Sequence, residues 1–153
     1  MQARVFFATI TGNNEDVADV IVDTFKNESV DVTKEDIQLI DPQDISSTDT
    51  DIVVVVPYTF DKGSLPNEAL DFYEDLVDTD LSGIVYGVSG SGDDFYGDDF
   101  AIAIDKFEQQ FEKTGATKGA KGVKVNLSPD AAATEALQTF TKQLIVTAKQ
   151  QEK

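Results

Sequence analysis

The sequence predicts an α/β fold in which a doubly wound sheet of five parallel strands carries helices on both faces. Two observations point to this fold class. Five short apolar or alternating runs recur along the 153 residues, and continuous apolar runs are typical of strands buried on both faces. Stretches with apolar residues at helical spacing separate these runs, and strands that alternate with helices form parallel sheets.

The first three elements are a strand, a helix and an edge strand. Residues 5–10 form a continuous apolar run, as expected for a buried strand. Residues 13–28 predict a helix, because their apolar positions fall on one stripe. That stripe consists of Val17, Val20, Ile21 and Phe25. The weaker, partly alternating segment 30–39 suits an edge strand. Its apolar positions are Val30, Val32, Ile37 and Leu39.

The middle of the chain carries the strongest strand signal. Residues 51–57 are almost entirely aliphatic and predict a fully buried strand. Pro66 suits the first turn of the following helix, where the missing N–H has no partner to lose. The apolar stripe of that helix consists of Leu70, Tyr73, Leu76 and Val77. Residues 84–88 then predict the next buried strand.

The last elements are a helix, a strand and a long helix. The third helix is expected to stop near Gly115. Its apolar positions are Phe100, Ile104, Phe107 and Phe111. Residues 123–127 alternate, which predicts a half-covered strand. Ser128, Pro129 and Asp130 favour a helix start, with a capping hydroxyl, proline at the first position and an early acid. The core positions of that helix are Leu137, Phe140, Leu144 and Ala148.

Composition limits the chemistry that the chain can perform by itself. No linker or internal repeat divides it, so residues 1–153 are expected to form a single domain. The chain has no cysteine and no histidine, which excludes thiolate nucleophiles, Cys/His zinc sites and Ser-His-Asp triads. We expect no metal site, and any redox chemistry must come from a bound cofactor.

The net charge of −17 bears on the choice of partner. It argues against nucleic acid, whose phosphates attract basic surfaces. Acidic residues dominate up to residue 105, whereas lysines dominate the remainder. Two interpretations stay open: the charge provides solubility, or it forms an acidic face that steers a basic protein partner. With no bilayer-length apolar run and no recognisable leader, we expect a cytoplasmic monomer that does not bind membranes.

Three loops follow the carboxyl ends of predicted strands, where ligands of doubly wound sheets bind. The first runs from Thr9 to Asn14, at the start of a helix whose free N–H groups and dipole can hold a phosphate without a basic side chain. Thr9, Thr11 and the Asn14 amide add donors, and Gly12 permits close backbone approach. Ordinary helix capping by Thr and Asn is the alternative interpretation.

The second loop, residues 57–66, holds two aromatic residues among turn-forming residues. Tyr58 and Phe60 gain little in a polar loop unless they cover something. One such use is stacking on a planar ring. The alternative is an aromatic side chain that folds back onto the core, which is the more common case for a single residue.

The third loop, residues 89–99, is rich in glycine and aspartate. Gly90 and Gly92 permit close backbone approach. Asp93 can accept a hydrogen bond from a ring N–H. Tyr96 is a further aromatic residue, which can face Phe60 of the second loop across a flat ligand. Alone, this loop favours a solvated turn. Together, the three loops predict a phosphate cradle and two stacking aromatics.

At this point the chain resembles the flavodoxin family, in its short-chain bacterial form. Thr-x-Thr-Gly-Asn at 9–13 matches the phosphate loop of the family, with Asn14 in place of a usual Thr. Tyr58-Thr59 and Leu65-Pro66 bracket the second loop as in the family, and Gly90-Ser-Gly-Asp93 followed by Tyr96 matches the third. The resemblance runs the whole length of the chain. The short stretch between Gly115 and the last helix leaves no room for the extra loop of long-chain members.

The resemblance implies the strand order 2-1-3-4-5 and a noncovalently bound FMN. It implies a low-potential one-electron carrier rather than an enzyme, which takes electrons from a flavodoxin reductase and passes them to acceptor enzymes with basic docking faces. Tyr96 is implied to stack on the outer face of the ring, Phe60 on the inner face, and Asp93 to hold the pyrimidine edge. The implied cofactor-binding residues are Thr9, Ile10, Thr11, Gly12, Asn13, Asn14, Pro57, Tyr58, Thr59, Phe60, Asp61, Gly63, Ser89, Gly90, Ser91, Gly92, Asp93 and Tyr96.

Two departures from the family pattern fall at the ring. Phe60 stands where Trp is frequent, and Asp61-Lys62 stands where many relatives have Gly-Asp. In the family, the peptide after the inner aromatic turns over on reduction, and Asp disfavours the conformation with positive φ by about 1 kcal/mol relative to Gly. We therefore expect the one-electron-reduced flavin to be less stabilised here. Carboxylates near the ring edge, such as Asp61 and Asp93, would disfavour the fully reduced anion and make it a strong reductant.

Two other functions remain as alternatives. One is a flavodoxin-like FMN protein dedicated to activating a single enzyme, such as ribonucleotide reductase. The other is a signalling receiver domain, which shares the fold but is phosphorylated on an Asp. The first strand ends in Thr-Ile-Thr, at 9–11, rather than in an Asp, which disfavours the receiver domain.

Overall fold

The computed structural model of the chain describes residues 1–8, 13–57, 67–92, 102–126 and 129–151. Strands and helices alternate along it, as the sequence predicts. In chain order the elements are β1 (Gln2–Phe7), α1 (Asn13–Asn27), β2 (Asp31–Asp36), two 3-10 turns (Ile37–Leu39 and Pro42–Asp44), β3 (Ile52–Val56), α2 (Asn67–Leu76), β4 (Val85–Val88), β5 (Gly90–Gly92), α3 (Ile102–Glu112), β6 (Thr117–Lys118), β7 (Lys124–Asn126) and α4 (Ala131–Gln151).

The main sheet has five parallel strands in the order β2-β1-β3-β4-β6. Val5 of β1 lies opposite Lys34 of β2 on one side and Val54 of β3 on the other. The chain therefore runs from β1 to the edge strand β2 and then returns to β3 on the other side of β1. This reversal of strand order is the topological switch point. The predicted fold class and strand order are confirmed, with β6 as the fifth strand.

Helices cover both faces of the sheet. Successive residues of β3 point to opposite faces, and all five are buried because both faces carry a hydrophobic core. On the face covered by α1 and α4, the buried side chains include Val54, Ile21, Phe25, Phe140 and Leu144. On the face covered by α2 and α3, they include Val55, Phe72, Leu76, Phe107 and Phe111.

The fifth strand is divided into two pieces, which corrects the prediction of one strand over 123–127. β6 pairs with β4, whereas β7 pairs with β5. The step from Tyr86 to Gly90 is four residues, but the step between their partners, Lys118 and Lys124, is six. The fifth strand therefore carries two extra residues, an arrangement of the β-bulge type.

Two glycines allow the bulged segment to lie close to β4. A Cβ on Gly119 would come within 2.4 Å of Val85 Cγ1, and a Cβ on Gly122 within 2.4 Å of the Val88 carbonyl oxygen. Any larger residue at either position would push the segment away from the sheet.

The edge strand ends earlier than predicted. β2 stops at Asp36, and its carboxylate accepts a hydrogen bond from the Gln38 N–H at 3.1 Å, which caps the first 3-10 turn. Ile37 is therefore buried, whereas Leu39, which was also expected among the apolar strand positions, is 80% exposed.

Two helices differ from their predicted patterns. α2 ends at Leu76, so Val77 lies in the turn that follows it. Leu70 and Val77 are exposed, and Phe72 enters the core in their place. α4 begins at Ala131 rather than at Pro129, because Asp130 is the capping residue: its Oδ1 accepts from the Ala133 N–H at 2.8 Å. α3 stops as predicted, with Gly115 at a φ of 83°.

Candidate functional site

Three neighbouring strands end at the carboxyl edge of the sheet where the predicted loops begin. β1, β3 and β4 are adjacent in the sheet, and they lead into the segments that start at residues 8, 57 and 89. Parallel strands present their carboxyl ends at one edge, so the three loops start from one region.

The side chain of Asn14 joins the ends of β1 and β3 to β5, the short strand that follows β4. It is fully buried. Its Nδ2 donates to the carbonyl oxygens of Ala8, just after β1, and Val56, the last residue of β3, the latter at 2.5 Å. Its Oδ1 accepts from the Ser91 N–H at 2.9 Å and from the Ser91 hydroxyl at 3.2 Å. Ser91 lies 77 positions after Asn14 in the sequence, so one carboxamide connects distant parts of the chain.

This geometry corrects the expected role of the Asn14 amide. The sequence predicts that it adds a donor for a phosphate, but both of its N–H groups are directed to backbone carbonyls. Buried carbonyl groups require hydrogen-bond partners, and Asn14 supplies a donor at the ends of two adjacent strands. The part of the phosphate loop that precedes it, Thr9, Ile10, Thr11 and Gly12, lies outside the described residues.

Gly90, near the start of the third loop, lies directly against Pro57, the residue that follows β3. A Cβ on Gly90 would be 2.1 Å from the carbonyl oxygen of Pro57, a backbone atom that cannot rotate away. The Ser89 hydroxyl accepts from the Val123 N–H at 2.9 Å, and the Gly90 N–H donates to the Val123 carbonyl at 3.2 Å. The bulged fifth strand therefore supports the third loop from its other side.

Lys34 offsets the acidic charge at the start of α1. Its Nζ lies 2.9 Å from Glu15 Oε2, in the first turn of α1, and 2.7 Å from Asp19 Oδ1. The hydrogen bonds to Asp19 and Glu15 raise the pKa of Lys34 above its usual value. Nζ also lies 5.6 Å from the centre of the Phe7 ring, so the lysine connects β2 to both the helix and β1.

The structure describes part of the predicted cofactor set and brings that part together. The joined strand ends hold five of the predicted residues, namely Asn14, Pro57, Ser89, Gly90 and Ser91. Gly92 ends β5, and Asn13 begins α1. Besides residues 9–12, the predicted residues outside the described part are Tyr58, Thr59, Phe60, Asp61, Gly63, Asp93 and Tyr96. The expected stacking of Phe60 and Tyr96 on a ring therefore stays a prediction.

Sequence reasoning missed two contributors to this region. Lys34 carries the one positive charge among the residues of β2, and a lone base between acidic residues was an available signal. Val123 contributes through its backbone alone, and no side-chain pattern reveals such a role. Within the described ranges, no cluster of acidic residues could hold a metal ion, and no helix there has the length and apolarity needed to cross a membrane.

Comparison with known proteins connects this site to a family. The flavodoxin family model matches residues 5–140. A probable flavodoxin of Bacillus subtilis is 34% identical over 137 residues, which cover 90% of this chain and 89% of that protein.

Two solved structures are similar over nearly their whole length. A short-chain flavodoxin associated with a non-canonical PDU bacterial microcompartment has a TM-score of 0.92 and 47% identity, covering 97% of this chain and 99% of its own. The flavodoxin of Streptococcus pneumoniae TIGR4 has a TM-score of 0.90 and 41% identity, covering 96% and 99%. Since the family match runs from β1 into α4 and includes every strand end that Asn14 joins, the chain belongs to the flavodoxin family, whose members transfer electrons by means of FMN.

Proposed function

We propose that this protein is a low-potential one-electron carrier that holds FMN noncovalently and passes electrons from a flavodoxin reductase to acceptor enzymes. The observation that carries the proposal is the junction at Asn14, which gathers the origins of all three predicted FMN loops at one edge of the sheet. Family membership supports the same assignment.

The described residues fit a phosphate at this edge. α1 is a helix of 15 residues that begins at Asn13, the last residue of the predicted phosphate motif. The first N–H groups of a helix have no partner within it, and the helix dipole favours an anion there. Lys34 partly neutralises the carboxylates of Glu15 and Asp19 nearby, which reduces the repulsion that a phosphate would meet. Residues 9–13 would hold the phosphate.

The ring would lie between the second and third loops. Tyr58, Thr59, Phe60, Asp61 and Gly63 would line one side. The other side would be formed by Ser89, Gly90, Ser91, Gly92, Asp93 and Tyr96. When bound, FMN accepts and donates one electron at a time. The chain supplies binding, orientation and a surrounding of negative charge, and added electrons are disfavoured by nearby carboxylates, which supports a low potential.

The charge of the chain supports a basic protein partner. A net charge of −17 attracts a positively charged docking face and accelerates encounter at low ionic strength. The reductase and the acceptor enzymes would therefore share basic faces. The same charge disfavours nucleic acid as a partner.

The purified protein provides a direct test. Flavin-free protein is titrated with FMN, and the loaded protein is then reduced stepwise while its visible spectrum is recorded. We expect a stoichiometric yellow complex that takes up electrons in two separate one-electron steps. Absence of FMN binding would reject the proposal. A carrier also predicts reduction by a flavodoxin reductase with rates that fall as salt is added.

A further inference from the structure

We infer that Asn14 is a positioning residue that couples the phosphate loop to the loop at the ring edge, so that one side chain organises both ends of the flavin site. This inference rests on the proposed function. Asn14 stands where the family usually has Thr, at a position that the sequence predicts to be a phosphate ligand.

The carboxamide matches its surroundings group by group. Asn offers two N–H donors and an oxygen that accepts two hydrogen bonds. The donors go to the Ala8 and Val56 carbonyls, and the oxygen accepts the Ser91 N–H and hydroxyl. A Thr hydroxyl has one donor and could reach only one of the two carbonyls, of which the Val56 carbonyl also accepts the Ala8 N–H at 3.0 Å. An Asp of the same shape would direct an oxygen at the carbonyl oxygens.

The partners of Asn14 adjoin the predicted FMN-binding residues or, in the case of Ser91, belong to them. Ala8 immediately precedes the phosphate loop, Val56 precedes the second loop, and Ser91 lies within the third. Because the carboxamide is buried and fully hydrogen-bonded, movement of one loop origin is transmitted to the others. Loss of the carboxamide should therefore disturb the ring site as much as the phosphate site.

Riboflavin, which has the ring but no phosphate, distinguishes this role from that of a phosphate ligand. If Asn14 bound phosphate, its removal would weaken FMN and leave riboflavin unaffected. If Asn14 positions both loops, its removal weakens FMN and riboflavin by similar factors.

The experiment measures the dissociation constants of FMN and riboflavin for flavin-free wild type, Asn14→Ala, Ser91→Ala and Asn27→Ala. We expect Asn14→Ala to weaken both ligands by about tenfold or more, since buried partners lose their hydrogen bonds. Ser91→Ala retains the backbone N–H and removes the hydroxyl alone, so both ligands should weaken by a smaller, equal factor of about two to three. Asn27, an exposed Asn at the opposite end of α1, serves as the control and should change neither.

Hydrogen exchange of the flavin-free protein gives a readout that needs no ligand. The Ser91 amide donates to Asn14 Oδ1, so Asn14→Ala should accelerate its exchange by about tenfold or more, whereas Asn27→Ala should not. Selective loss of FMN affinity, or an unchanged Ser91 exchange rate, would overturn the inference. Failure of the wild type to bind FMN would instead reject the proposed function, and the exchange rates would still decide the role of Asn14.

Discussion

The ring of Tyr86 on β4 lies flat against the ring of Phe111 on α3, with centroids 4.7 Å apart and planes inclined by 9°. Tyr86 is 1% exposed, and its hydroxyl has no hydrogen-bond partner among the residues that the structure describes. Burial, with further contributions from Glu112 and Glu108, raises the pKa of Tyr86 to about 12. The phenol is therefore held neutral in the folded protein.

Tyr86 predicts a loss of stability at high pH. Its folded pKa lies above the unfolded value of 10.0, so ionisation of the phenol favours the unfolded state. The free energy of unfolding is unaffected by this group below pH 10 and falls as the pH rises from 10 towards about 12. Tyr86→Phe keeps the stacked ring and removes the unpaired hydroxyl. We expect it to leave neutral-pH stability unchanged or raise it by about 1 kcal/mol.

Phenolate absorbance and urea unfolding across pH measure these effects. Tyr86→Phe should remove the phase of tyrosine ionisation near pH 12, whereas Tyr73→Phe should retain it. Persistence of that phase without Tyr86 would contradict the assignment.

The pair between Arg4 and Glu35 predicts a loss of stability in acid. Arg4 donates to both carboxylate oxygens of Glu35 at 3.0 Å, across β1 and β2. These hydrogen bonds lower the pKa of Glu35 below 4.5. The contribution of this ion pair to the free energy of unfolding is therefore present above pH 4.5. It is lost as the pH falls through the lowered pKa of Glu35.

Glu35→Gln removes this contribution. We expect a loss of about 1 kcal/mol at pH 7, given a bidentate but partly exposed pair, and convergence with the wild type in acid. Urea unfolding at several pH values tests it, with the exposed Glu74→Gln on α2 as a control that should show no such convergence. An equal deficit at all pH values would argue against an ionic origin.

Lys34 predicts a salt-dependent effect on FMN affinity. Replacing it with Gln leaves Glu15 and Asp19 unpaired beside the start of α1. We expect FMN binding to weaken by about two- to fivefold at low ionic strength and the difference to shrink in concentrated salt. The control is Lys142→Gln. In the wild type, Lys142 Nζ lies 3.9 Å from Oε1 of Glu28, just beyond the other end of α1. Equal effects of the two substitutions would exclude a local role for Lys34.

Gly90 and Gly87 form a matched pair of substitutions. A Cβ on Gly90 meets the backbone oxygen of Pro57 at 2.1 Å, whereas a Cβ on Gly87 meets the side chains of Phe140 and Leu144 at 2.6 and 2.8 Å. We expect Gly90→Ala to displace the third loop and weaken FMN binding about tenfold or more, and Gly87→Ala mainly to lower stability, by about 1–3 kcal/mol. Isothermal titration and urea unfolding separate the two effects. Intact FMN affinity in Gly90→Ala would contradict the close approach.

The presence of Asp61 where many relatives have Gly predicts an effect on the first reduction potential of the flavin. Asp61 lies outside the described residues, so this prediction rests on its sequence position alone. Asp61→Gly relieves the cost of a positive φ, about 1 kcal/mol, which corresponds to roughly 40 mV for one electron. We expect the first reduction potential to rise by about this amount. Asp61→Ala removes the charge but keeps the Cβ, so it should shift that potential less. Equal shifts would identify the charge as the cause.

The sequence predicted the fold through patterns that are local. The aliphatic run at 51–57 identified the central strand, and the turn residues after it identified the edge where ligands bind. The bulge in the fifth strand could not be predicted, because it depends on how Gly119 and Gly122 pack against β4. The role of Asn14 was also hidden, since its partner Ser91 is 77 residues away. No local sequence pattern reveals whether a buried side-chain amide donates to backbone carbonyls or to a phosphate.

The two edges of the sheet have a consequence for the protein at high concentration. β2 carries charged residues at most of its positions, and the opposite edge is short and interrupted by the bulge. Strands of other molecules add most readily to edges that are long, flat and uncharged. Both edges therefore hinder the stacking of copies into fibrils, and this protection belongs to the polypeptide itself, whether or not a flavin is bound.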